Sequence, residues 1–131
     1  MKKKLEKLIP QAVKAVDDVL EKDGSVPKAY NGYISSMGAS IIQMGLLPTL
    51  AFYSYGSDDN KRTKESRPKL LKAILQVIAP TVAAEGKVKL LDYAIAWDAD
   101  VNKDLRQLQK QITLAAIAIK LAIRTFDLKD L

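Results

Sequence analysis

Residues Lys28 to Tyr55 read KAYNGYISSMGASIIQMGLLPTLAFYSY, and this stretch decides the fold. Tyr30, Ile34, Met37, Ile41 and Met44 recur three and four apart, which puts them on one face of a helix. Gly32 and Gly38 lie inside that pattern. A glycine within a helix costs about 1 kcal/mol relative to alanine, so the spacing predicts a core helix with a closely packed neighbour. Gly45 is placed to end this helix near Met44. Pro48 suits the first turn of a short third helix running to Tyr55.

Helical spacing extends in both directions. Leu5, Leu8, Ile9, Ala12, Val13, Val16, Val19 and Leu20 form an in-phase stripe that crosses Pro10, which predicts a helix kinked there or beginning there. Asp23-Gly24-Ser25 ends it, and Pro27 suits the next helix start. Residues 56–67 (GSDDNKRTKESR) carry no apolar side chain and read as an exposed basic and polar loop. Ser66-Arg67-Pro68 then reads as the cap and first turn of a fourth helix through Ile78, with Pro80 breaking or kinking it. A shorter helix is expected around Val88 to Trp97.

Asp100 or Asn102 is expected to cap the last and longest helix. Its main stripe is Leu105, Leu108, Ile112, Ala115, Ile119, Ala122 and Phe126; Leu114, Ile117, Leu121 and Ile123 add a second. A helix apolar on two faces is buried centrally or shared with a partner. No segment alternates with period two between hairpin turns, so no strand is expected. The expectation is an all-α fold: residues 1–131 as a single compact bundle of five to seven helices with a long C-terminal helix.

Composition narrows function. The 131 residues contain neither cysteine nor histidine. That removes the thiolate nucleophile, the usual structural zinc site and the commonest general base near neutral pH. A binding or structural protein without cofactor is therefore expected rather than an enzyme. The net charge is +6, from 21 basic and 15 acidic residues, which suits an anionic partner. No apolar run is long enough to cross a membrane, and the lysines at residues 2–4 are not followed by an apolar signal region. A cytoplasmic location is expected.

Two basic clusters are the candidate nucleic-acid contacts. Lys61, Arg62, Lys64, Arg67 and Lys69, with Lys72 one turn on, combine lysine and arginine charge with a helix start whose free N–H groups suit phosphate. The competing reading is a solvated polar loop. Lys103, Arg106 and Lys110 fall three and four apart and share one helical face, although such rows are routine on helix surfaces. Tyr53 and Tyr55, beside the first cluster, are the aromatics least readily assigned to the core. Asp98 and Asp100, with Asp92 and Asp104 nearby, form the one acidic group with any metal-binding character. Helix capping explains them better, so no metal site is expected.

At this point a pattern emerges. Lys28, Tyr30 and Tyr33, then Ile41-Ile42-Gln43, Gly45-Leu46 and Thr49-Leu50-Ala51-Phe52-Tyr53 resemble the signature of the small α-helical subunit of the Cmr complex, the type III-B CRISPR RNA-guided effector. Thr113, Ala115-Ala116, Arg124 and Phe126 resemble that family's final helix. Three features depart from it: Met37-Gly38 stands where Leu-Pro is usual, no lysine follows Tyr55, and the last helix lacks its tryptophan.

The resemblance implies a non-catalytic subunit whose copies stack along the effector complex, beside its backbone and large subunits. It would present basic faces to guide and target RNA in antiviral defence, and Arg124 joins the expected RNA-contacting residues. The alternatives are a stand-alone helical adaptor that binds protein, or the type III-A counterpart. A carboxylate-metal nuclease at Asp98 and Asp100 is a third.

Overall fold

The computed structural model describes residues 2–55 and 61–129, with side chains at 3–54 and 66–126. The deciding stretch forms α2 (Ala29–Met44) and α3 (Leu46–Tyr55), separated by one residue, Gly45. Gly45 takes φ 94° and ψ 170°, a backbone conformation open to glycine and strained for other residues. There its N–H donates to the Ile41 carbonyl at 2.9 Å, and its own carbonyl accepts the Thr49 hydroxyl at 2.9 Å. One residue thus closes α2 and anchors the first turn of α3.

The preceding helix, α1 (Lys2–Ala15), runs through Pro10 and then widens into a π-helical turn at Val16–Leu20. The extra residue in that turn keeps Val16 and Leu20 buried. Asp23 and Gly24, both at positive φ, turn the chain into a three-residue strand, β1 (Ser25–Pro27). Its partner β2 (Asp127–Lys129) lies parallel, with Val26 opposite Leu128. Period-two patterning is illegible in three residues, so this pairing was not expected from sequence. It ties the chain beyond the last helix to the start of α2.

α4 (Lys61–Ile78) begins two turns earlier than expected. Residues 61–67 are helical rather than loop, and Ser66 is buried inside α4 instead of capping it. Residues 56–60 of the expected loop lie outside the described residues. Ala79, at φ −146°, breaks the helix, and Pro80 opens α5 (Pro80–Glu85), which Gly86 ends in the left-handed conformation. α6 (Leu90–Ala99) follows, and then α7 (Leu105–Ile123), the longest helix. Its N-cap is Asp104, whose carboxylate accepts the Arg106 N–H at 2.9 Å. Asp100 and Asn102, the expected caps, instead form a turn in which the Asp100 carboxylate accepts the Asn102 N–H.

Seven helices are described in all, and α7 packs against α1, α2, α4 and α6. One connected cluster of buried side chains draws on every helix except α5. The all-α bundle with a long C-terminal helix is the fold adopted.

The glycines of α2 correct an expectation. A Cβ added at Gly32 or Gly38 would meet nothing within 4 Å, so neither is there for a close neighbour among the described residues. Gly38→Ala is therefore expected to raise stability by roughly 0.5–1 kcal/mol, and Gly45→Ala to lower it by about 1–3 kcal/mol. Urea denaturation of both variants checks the pair. Destabilisation by Gly38→Ala would reveal a packing constraint on α2.

Candidate nucleic-acid interface

Of the family-like residues of α3, Thr49, Leu50 and Tyr53 point inward, while Phe52 is 40% exposed. Thr49 and Leu50 are fully buried, and Tyr53 is 1% exposed with its hydroxyl donating to the Tyr33 carbonyl at 3.0 Å. Tyr53 is thus a core residue and offers no ring for base stacking; the Tyr55 side chain lies outside those described. Burial pushes the Tyr30 and Tyr53 phenols up. A Ser66 hydrogen bond partly opposes this at Tyr30, as does the Arg67 charge at Tyr53.

Arg67 is held by the same layer. Its guanidinium carbon lies 4.9 Å from the Phe52 ring centre, 5.0 Å from that of Tyr53 and 5.9 Å from that of Tyr33. Its Nε and Nη1 are buried, without a hydrogen-bond partner among the described residues. A desolvated guanidinium over aromatic faces gains about 2 kcal/mol from the ring quadrupoles, which offsets part of its desolvation cost. Arg67, expected to grip phosphate, instead pins α4 onto α2 and α3.

Further along α4, Lys69 and Lys72 are exposed and line a groove of about 370 Å³. The opposite wall is the α5–α6 connection, which contributes Lys87 and Lys89. Half-buried Pro68, Ala83 and Val88 supply apolar lining, and among the described residues the lining includes no carboxylate. Lys87 and Lys89 were missed from sequence. Two cations flanking Val88 just after Gly86 were visible, but their meaning depends on which helix that turn faces. The side chains of Lys61, Arg62 and Lys64 lie outside those described.

The second cluster sits around the α7 N-terminus, and acids already engage two of its three cations. Arg106 donates to the Asp104 carboxylate at 3.1 Å, and those hydrogen bonds hold the Asp104 carboxyl below the usual carboxylate range. Lys103 lies 4.0 Å from Asp100 and 4.6 Å from the Trp97 ring centre. Trp97 donates from Nε1 to the Asp104 carbonyl at 2.9 Å, clamping α6 to the start of α7. Lys110 and Arg124 have no ion-pair partner among the described residues. The spacing of 106, 110, 117, 121 and 124 puts them on one outer strip of α7, with Ile117 and Leu121 41% and 38% exposed between the cations. The second apolar stripe is therefore split, because Ile123 is buried while Ile117 and Leu121 face out.

The acids near α7 are likewise occupied by capping and pairing. Among the described residues no group of three or more His, Cys, Asp or Glu could hold a metal ion. Among the described residues no helix is long and apolar enough to cross a membrane.

Two predictions test the aromatic layer. Arg67→Ala should lower stability by about 1–2 kcal/mol in urea denaturation, and Arg67→Met should recover part of the loss through its stem. Raised phenol pKa values favour the folded state fully below about pH 10, and that contribution fades as pH climbs towards the raised values. The combined Tyr30→Phe and Tyr53→Phe variant should thus show a shallower alkaline fall in Tm than the parent. An identical slope would assign that fall to other groups.

Comparison with known proteins agrees with this architecture. The family model described as CRISPR-associated protein (Cas_Cmr5) matches residues 6–120. Neither the curated proteins nor the solved structures contain a match. The match spans α1 to the last turn of α7, so the chain belongs to the Cas_Cmr5 family, the small-subunit family of the type III-B Cmr complex.

Proposed function

We propose that this chain is a non-catalytic structural subunit of a type III-B Cmr effector complex, which contacts guide and target RNA through basic surfaces in antiviral defence. The family match over residues 6–120 carries this reading. Three further observations support it. The net charge is +6, the chain has no histidine or cysteine, and Lys110 and Arg124, without an ion pair among the described residues, lie on the outer strip of α7. The backbone and large subunits of the complex are its partners, in the cytoplasm, and no cofactor is required.

Copies of the subunit stack on one another. Exposed Ile117 and Leu121, between Lys110 and Arg124, supply apolar contact on a helix whose opposite face fills the core. Ile42, 85% exposed near the end of α2, is a second apolar point on the surface. Lys110 and Arg124 contribute charge along the α7 strip, and Arg106 and Lys103 do so against the pull of Asp104 and Asp100. On α4, Lys61, Arg62, Lys64, Lys69 and Lys72 form the second contact set, and Arg67 serves as its internal support.

Contact with phosphates and not with base edges makes binding salt-sensitive and indifferent to sequence. Lys110→Ala combined with Arg124→Ala should reduce the salt slope of guide–target duplex binding by about two, with equal loss across unrelated sequences. Fluorescence anisotropy across a salt series measures this. An unchanged slope would remove the α7 strip from the RNA contact.

A further inference from the structure

The groove between α4 and the α5–α6 connection differs in kind from the α7 strip. An α-helical row of cations meets phosphates alone, as a duplex presents them. The groove instead has Lys69 and Lys72 on one side, Lys87 and Lys89 on the other, and apolar surface from the half-buried Pro68, Ala83 and Val88. At about 370 Å³ it lies within the range of small-ligand sites, which begins at ~300 Å³. Among the described residues its lining includes no carboxylate, and its four lysines favour an anion.

A duplex would leave that apolar surface unused, because its bases are paired and stacked inside. An acidic peptide would match the lysines but offer little to the apolar surface. An unpaired nucleotide matches both, with an apolar base face and a phosphate on either side of it. We infer that this groove receives an unpaired nucleotide of single-stranded RNA, its base against Pro68, Ala83 and Val88 and its flanking phosphates on the two lysine pairs. The inference rests on the RNA-contacting reading above and adds a site that takes single strands.

Lys87 and Lys89 are exposed loop residues, so their removal leaves the core intact. The test compares full-length parent, Lys87→Ala with Lys89→Ala, Val88→Asn, and Lys110→Ala with Arg124→Ala. Each is titrated against a short single-stranded RNA and against the same sequence as a blunt duplex, with helicity checked by circular dichroism. The groove variant should bind the single strand about tenfold more weakly, with its salt slope reduced by about two, and bind the duplex as the parent does. Val88→Asn should weaken single-strand binding without altering the slope.

Equal weakening towards both probes would overturn the seating of a base and leave a simple phosphate contact. Parental affinity in the groove variant, alongside loss in the α7 variant, would overturn the groove while sparing the RNA-contact reading. Displacement of the single strand by an oligoglutamate peptide at equal charge concentration would point to a protein partner and overturn the inference. Failure of the parent to bind either probe would overturn both readings.

Discussion

The structure depends on the desolvation of α7. Between Leu108 and Ile123 half of its side chains are buried, and α1, α2, α4 and α6 all pack against it. Ala115, Ala116, Ala118 and Ala122 make that possible, because small side chains let several helices approach one axis. Burial on so wide an arc leaves a narrow outer strip. Arg106, Lys110, Ile117, Leu121 and Arg124 occupy it, so the character of the surface is fixed by what the core does not use. Trp97, through its bond to the Asp104 carbonyl, sets where this helix begins.

Charge count and available charge are different quantities in this chain. Arg67 is the clearest case. Its charge lies over three rings with two guanidinium nitrogens buried, so it serves packing before it can serve any ligand. Arg106 is committed to the carboxylate that caps its own helix, and Lys103 to Asp100 and Trp97. Lys110 and the lysines of the groove form no ion pair among the described residues, which leaves more of their field for an external anion.

Legibility followed the range of the interactions. The end of α2 at Gly45, the start of α5 at Pro80 and the stripe of α7 were readable because each rests on residues within a turn or two of one another. The start of α4 was not. Residues 61–67 look like loop in isolation, and they become helical where Ser66 meets Tyr30 and Arg67 meets Phe52, contacts across tens of residues. The cap of α7 was misplaced by a few residues because Asp100, Asn102 and Asp104 all have cap chemistry, and only the clamp from Trp97 selects among them. Of the candidate site, the rows on α4 and α7 were visible as spacing. The pairing of Lys69 and Lys72 with Lys87 and Lys89 was invisible, because it exists only once α5 turns back at Gly86.

The residues that reveal the family and those that meet a ligand are different sets, yet they are mechanically linked. Thr49, Leu50 and Tyr53 are buried, so their pattern records a folding constraint at the α2–α3 corner and not a contact surface. That corner presents Tyr33, Phe52 and Tyr53 to Arg67, and Arg67 fixes the early turns of α4. Lys69 and Lys72 follow within the next two turns of the same rigid helix, so their positions against Lys87 and Lys89 are inherited from the aromatic layer. A substitution at Tyr53 would therefore disturb the groove without touching it, through the angle at which α4 leaves the core.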